Sequence, residues 1–312
     1  MFEYWGMSLA KIERVVAVDW SGDRSTAGQR RKIWAAVWTA SATGRVLDGS
    51  VRLESGRTRE ELCDWLIALA GETPRMVVGF DFCFSFPEWF VRGEMGCADG
   101  PAFWELVTRE HGERWLDRDC ADARFWGKAG SARHGKRPAE FSGDRFHRML
   151  RATDIGNKLA AMIPDAERAA RVRGIAPKSV FQIGGAGSVG TASLRGIPVV
   201  KRLRAAGFSV WPFDAPALDQ GRPLIVEMYT RLNTGPVRKS NATARAAYLL
   251  RKRKEDPAYA ALPRGVLERA RGSEDAFDAL VSCMAMTARR DEFPSLAMPQ
   301  NQSHRAEGWT WA

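Results

Sequence analysis

The sequence predicts an α/β fold, a mixed sheet flanked by helices, and three observations carry that expectation. The runs RVVAVDW (14–20), RMVVGFD (75–81) and PLIVEMY (223–229) are short, apolar and rich in β-branched residues, the pattern of buried strands. Each carries an acid at or near its end: Asp19, Asp81 and Glu227. Helical patterns alternate with these strands, most clearly over 58–70, 240–254 and 274–289.

Taken in order, RVVAVDW opens the sheet and SGDRSTAGQRR reads as a polar, turn-rich loop. IWAAVWTA (33–40) and RVLDGSVRL (45–53) read as the second and third strands, joined by a turn at Thr43-Gly44. A helix over 58–70 has Thr58 as its cap and Glu61 three residues later, a capping-box spacing. RMVVGFD is the fourth strand. From 82 to about 175 the periodicity loosens: FCFSFPEWF is aromatic and broken by proline, and 110–148 is rich in Arg, Asp, Gly and His. Residues 91–176 are therefore expected to form an inserted, mainly helical or irregular subdomain, with short helices at 153–163 and 165–173 separated by Pro164. The remaining core, about 14–90 and 177–312, is expected to be one domain. It resumes with SVFQI (179–183), a helix over 195–206, and the strands FSVWPF (208–213) and PLIVEMY. A basic amphipathic helix over 240–254 is capped by Ser240 or Asn241, and an apolar helix over 274–289 closes the pattern.

Composition narrows the classes. The chain has 312 residues, 45% hydrophobic and 27% charged, as globular proteins do. Lys and Arg outnumber Asp and Glu by 47 to 37, a net charge of +10, which makes nucleic acid the expected partner. Five cysteines, an odd number without a CxxC pair, argue against a disulfide framework or a zinc site and for a reduced, cytoplasmic setting. No apolar run is long enough to cross a bilayer, so no membrane partner is expected.

The acids carry the chemistry. Sites in α/β sheets gather at the carboxyl ends of strands, where Asp19, Asp81 and Glu227 fall. Asp275 and Asp278 open the last helix, in SEDAFDALVSCMAM. Asp275 lies in the first turn, where a carboxylate also favours the helix dipole. Asp278 lies beyond it, and from Ala279 to Met286 only Ser282 is polar, so the helix is buried on all sides. A buried carboxylate needs a metal ion or a cationic partner. Clustered oxygen ligands favour Mg²⁺ or Mn²⁺, and two such ions are an apparatus for phosphodiester hydrolysis. Each acid also has an ordinary explanation: a turn at Asp19, a cap at Asp81, a salt bridge from Glu227 to Arg231.

The order of elements resembles the ribonuclease H-like fold, and DAFDAL (275–280) resembles the late-helix signature of Holliday-junction resolvases of that superfamily. VVAVDWSG, VVGFDFCFSFP, KSVFQIGGAGSVGTASL, LIVEMYTRL, SEDAFDALVSCMA and EGWTW resemble the DUF429 family, described as predicted nucleases, over roughly 14–90 and 177–312. The resemblance implies that Asp19 bridges two metals, that Asp81 and Asp278 each hold one side, and that Asp275 or Glu227 completes the shell. Asp81 stands where the resolvases have Glu, and 91–176 is additional to the bare fold.

Other readings compete. Gly185, Gly187 and Gly190 match a dinucleotide fingerprint with Asp214 downstream, but Pro198 is expected to interrupt the helix that should follow. DWSGDRST occupies the place of a phosphate loop in actin-like and sugar kinases, yet holds only Gly22, so a phosphotransferase is a lesser alternative. The four histidines fall in polar, irregular context and read as surface residues. Lys178, Arg231, Lys239 and Arg245 are the candidate nucleic-acid-binding cations, with Arg238 and 251–254 beside them and Arg124, Lys128, Arg133, Lys136 and Arg137 in the insertion. Phe82, Phe84, Phe86 and Trp89 read as base-stacking residues or as core beneath the insertion. A non-catalytic nucleic-acid-binding protein on the same fold is the principal rival to a nuclease.

Overall fold

Residues 11–43, 45–127, 139, 147–185 and 188–312 are described by a computed structural model. A mixed seven-stranded sheet organises it. β1 (Arg14–Asp19), β2 (Trp34–Thr39) and β3 (Ser50–Ser55) are successive antiparallel strands. β4 (Met76–Phe80) pairs parallel with β1, and β6 (Leu224–Met228) parallel with β4. β5 (Ser209–Val210) and β7 (Thr310–Trp311) both pair with β6, opposite its first and last residues respectively. The order β3-β2-β1-β4-β6-β5, antiparallel then parallel, is the ribonuclease H-like arrangement expected from the sequence. Every residue of β1, β4 and β6 is buried, which is why these strands read as continuous apolar runs rather than alternating ones.

Thirteen α-helices flank the sheet among the described residues. α1 (Thr26–Lys32) and α2 (Arg59–Glu72) lie in the first half. α3 (Gly100–Leu106), α4 (Gly112–Leu116), α5 (Ala152–Lys158) and α6 (Ala166–Val172) lie in the expected insertion. α7 (Val189–Ala205), α8 (Thr230–Thr234), α9 (Ala242–Glu255), α10 (Pro257–Ala260), α11 (Arg264–Gly272), α12 (Glu274–Ala288) and α13 (Gln302–Glu307) complete the chain. The capping box of α2 is present in both directions: the Glu61 amide donates to Thr58 Oγ1 at 3.2 Å, and the Thr58 amide donates to Glu61 Oε2 at 2.9 Å. Asn241 caps α9, its side chain accepting from the Ala244 amide at 3.1 Å.

Strand alternation divides the core into two layers. Val16, Val18, Val78, Phe80 and Ile225 face α2, α7 and the insertion. Val15, Ala17, Val77, Leu224 and Val226 face α9, α11 and α12. On the first side, Phe86, Phe90, Phe103, Trp115, Phe125 and Phe181 pack in one aromatic cluster, with Phe90 and Phe181 centroids 5.0 Å apart. Phe80, Phe82 and Phe84 join it to the sheet, so residues 82–126 share a core with that face. Phe82, Phe84 and Phe86 are buried there and unavailable for stacking on bases.

Several elements differ from expectation. SGDRSTAGQRR runs into α1, which is started by Ser25, whose hydroxyl accepts from the Gly28 amide at 3.0 Å, and ends at Lys32. The third strand begins at Ser50, after a 3₁₀ turn over Val46–Asp48. SVFQI is not a strand; Gln182 makes a single bridge to Trp126. The strand at FSVWPF stops after Val210, because the Phe213 and Asp214 amides both turn back onto the Val210 carbonyl. α7 starts six residues before the expected 195 and continues through Pro198. Among the described residues no helix is long and apolar enough to cross a membrane. All five cysteines are free thiols.

Candidate metal centre

The parallel register of β1 and β4 sets Val18 opposite Phe80, and the Asp81 amide donates to the Val18 carbonyl at 3.2 Å. Asp19 and Asp81 therefore leave the sheet side by side at its carboxyl edge. Alternation decides their direction. Asp19 has the parity of Val15 and Ala17, and Asp81 that of Val77, so both belong to the face covered by α12. α12 packs on β1 and β2 and is capped by Ser273, whose Oγ accepts from the Ala276 amide at 3.2 Å. That placement brings Asp278, fully buried in its second turn, to the same end of the sheet. Asp275, one turn earlier, is half-buried.

Electrostatics register the convergence. Burial pushes the Asp19 carboxyl well up, and the charges of Asp278, Asp81 and Asp275 push it further. Burial raises Asp81, opposed by Lys239 and by Thr230. Thr230 orients that carboxylate, its amide lying 3.4 Å from Oδ1 and its hydroxyl 3.2 Å from Oδ2. Burial pushes Asp278 up to about 6, although Lys239 opposes the shift. Asp275 is raised too, by burial and then by Glu274. Such a set of acids favours a cation between them.

One cation is already present. Lys239 Nζ donates to Asp278 Oδ2 and lies 3.6 Å from Glu274 Oε1. Burial would lower the Lys239 pKa, but Asp278, Asp19 and Asp81 hold it above its ordinary value. Asp278 thus has the cationic partner that its position demanded. Its other oxygen, Oδ1, is buried without a hydrogen-bond partner, and a buried acceptor left unmade is costly. The donor set therefore fits a hard divalent ion: oxygen ligands, excess negative charge and one orphaned carboxylate oxygen. Asp19, Asp81, Asp275 and Lys239 line a cleft of about 930 Å³.

Glu227 does not join this group. Its parity in β6 is that of Ile225, so it lies on the opposite face of the sheet. There it accepts from Arg151 through both oxygens, from the Phe84 amide at 2.9 Å and from Thr310 Oγ1 at 2.6 Å. The expected partner, Arg231, instead donates to the Val237 carbonyl at 2.6 Å. Cys83, Asp154 and Glu227 have ligand atoms within 4.8 Å of one another, the only grouping of that kind among the described residues; no three of Asp19, Asp81, Asp275 and Asp278 come that close together. Cations of the chain fill it: Arg151 bonds Asp154 at 2.9 and 3.0 Å, and Lys158 Nζ bonds Asp154 at 2.6 Å. It is a buried ionic clamp joining α5 to β6, not a vacancy for a metal. Its signal in the sequence was the spacing of RATDIGNK, which sets Arg151 and Lys158 three and four residues from Asp154.

The basic residues divide similarly. Lys178 is exposed at the cleft and Arg231 lines it half-buried, both within reach of a ligand there. Lys239 is turned inward onto Asp278. Arg245 is 5% exposed and donates to the carbonyls of Lys239 and Arg271, so it is a structural brace and not a contact for nucleic acid. Arg124 pairs with Asp122 and Glu94. Lys128, Arg133, Lys136 and Arg137 lie outside the described residues, as do Gly187 and His134. His111 and His304 are half-buried against Trp115 and Trp309 rather than on the open surface.

The glycine loop has a structural explanation. Gly185 has φ +86°, a conformation that favours glycine. A Cβ on Gly190 would lie 2.0 Å from the Val180 carbonyl oxygen, so this glycine permits α7 to pack against 180–183. Pro198 is no obstacle to the helix, which removes one argument against a dinucleotide site. Among the described residues the segment before α7 nevertheless lacks the strand of a βαβ unit. No family model, curated protein or solved structure matches the chain.

Proposed function

We propose that this chain is a divalent-metal-dependent nuclease that hydrolyses phosphodiester bonds. The observation that carries the reading is the meeting of Asp19, Asp81 and Asp278 at one end of the sheet, with Asp278 Oδ1 buried and unpaired. The motif resemblance to DUF429 points the same way. Asp19, Asp81 and Asp278 would hold the metal, with Asp275 beside them and Mg²⁺ or Mn²⁺ as the ion. When bound, such ions supply a water activated at neutral pH and offset charge at the phosphate. The chain's own residues orient and attract. Thr230 holds the Asp81 carboxylate, while Lys178 and Arg231 bring positive charge to the cleft, where a phosphate backbone would run.

A non-catalytic nucleic-acid-binding protein is the second reading, favoured by Lys239, which already supplies Asp278 with a counter-ion. Asp19→Asn separates the two. The wild type and the variant are incubated with Mn²⁺ or Mg²⁺ and a panel of single-stranded, duplex and branched DNA and RNA. The nuclease reading expects cleavage that chelator abolishes and that Asp19→Asn lowers at least about a hundredfold. In chelator the variant should melt no lower than wild type, because a neutral side chain relieves like-charge repulsion. Undiminished cleavage by the variant removes the catalytic assignment. Tight binding by an inert wild type supports the binder.

A further inference from the structure

Lys239 is a charged group in the cleft, in direct contact with a proposed metal ligand, that the metal-centre reading leaves without a task. It hangs from the connection between α8 and α9. Its amide donates to the Val237 carbonyl at 2.9 Å, and its carbonyl accepts from the buried Arg245 guanidinium. That guanidinium also bonds the Arg271 carbonyl at 2.7 and 3.1 Å, which pins the Lys239 backbone against the end of α11. The side chain, 27% exposed, crosses the cleft wall and ends on Asp278 Oδ2. Asp278, Asp19 and Asp81 all act on this one ammonium, and Glu274 Oε1 lies 3.6 Å from it, so the acids outnumber the cation. The ammonium reaches only one oxygen of Asp278, leaving Oδ1 unpaired. It holds Oδ2, so an ion on Oδ1 would stand against its positive charge and an ion using both oxygens would compete with it, and the open cleft beside it offers a way out.

We propose that Lys239 is a built-in counter-ion for the Asp278 side of the metal centre and must swing out before a divalent ion binds there, so that it sets the apparent metal affinity. The proposal rests on the metal-centre reading. With the backbone pinned, the movement is a change of side-chain rotamer into the cleft. The apparent dissociation constant is raised by the inverse of the fraction of time the lysine is out.

The test uses the full chain and Mn²⁺ alone. Calorimetric titration compares wild type with Lys239→Met, and amine acylation read by mass spectrometry follows Lys239 in the wild type with and without Mn²⁺. Lys239→Met should bind Mn²⁺ about tenfold more tightly or better. In the wild type, Mn²⁺ should raise the acylation of Lys239 severalfold while the exposed Lys178 keeps its reactivity. Equal affinity in both proteins with unchanged Lys239 acylation overturns the proposal and leaves the metal centre standing. Tighter binding in Lys239→Met with no change in wild-type acylation means a fixed charge rather than a displaced one, and also overturns it. Absence of Mn²⁺ binding in both proteins removes the metal centre and the proposal together. Should Lys239→Met fail to fold, the wild-type acylation decides.

Discussion

Asp278 and Glu227 are both buried acids in apolar surroundings, and their fates differ for reasons of position. Asp278 shares a face with Asp19 and Asp81, whereas Glu227 lies one residue out of parity and meets Arg151 on the other side. That distinction was legible in the alternation of LIVEM against VVGFD, once β6 is set beside β4. What could not be read was Lys239, because its contact with Asp278 spans 39 residues and depends on how α9 and α11 hold the loop. The clamp around Arg151 has its own test. Burial alone would raise the Asp154 carboxyl, but Arg151 and Lys158 overcome it and hold the group well below the usual carboxylate range. A depressed carboxyl contributes stability that is present above its unfolded value, near 3.9, and is lost as the pH falls through the folded value. Asp154→Asn leaves the buried Lys158 without its carboxylate and Arg151 with Glu227 alone, which should cost about 3–5 kcal/mol at pH 7. Denaturant melts at pH 7, 5 and 3 should show that gap steady from 7 to 5 and narrower at 3. A gap that widens toward acid would contradict the assignment.

At the scale of elements, the parts read correctly are those with strong local signals. The Thr58–Glu61 capping box, the cap of α9 at one of Ser240 and Asn241, and the apolar runs of β1, β4 and β6 specify themselves over a few residues. The parts misread depend on tertiary contact. α1 is seven residues long and has no apolar stripe to announce it. SVFQI has strand-like composition, yet its side chains fill the aromatic cluster and the Ser179 hydroxyl bonds the Met149 carbonyl at 2.6 Å. α7 tolerates Pro198 because Leu194, Ile197, Val200 and Leu203 bury its face in the core. Gly190 sits where α7 meets 180–183, and an added methyl would strike backbone rather than a flexible side chain. Gly190→Ala should therefore destabilise the fold by about 1–3 kcal/mol, read as a lower melting temperature. A neutral effect would mean that the contact is looser than described and would reopen a ligand role for the glycine loop.

For the whole molecule, the excess of positive charge and the acid-lined cleft pull in opposite directions. A net charge of +10 draws polyanions toward the surface, while the cleft floor repels them until cations neutralise it. Binding of a single-stranded oligonucleotide, followed by fluorescence anisotropy, should weaken about tenfold between 50 and 200 mM salt if two phosphates are contacted, and Lys178→Ala should lower the logarithmic salt slope by about one. An unchanged slope would move the contact away from Lys178. The layout itself is economical: one sheet edge presents two acids, one helix adds a third, residues 82–126 share the core of the other face, and Lys158, Gly174, Ile175 and Ala176 line the cleft beside the acids. The most direct measurement of the central claim is anomalous diffraction from crystals soaked in Mn²⁺. A peak bounded by Asp19, Asp81 and Asp278, with the Lys239 side chain withdrawn from Asp278, is the predicted result. An empty acid cluster at saturating Mn²⁺, with Lys239 still paired to Asp278, would contradict it.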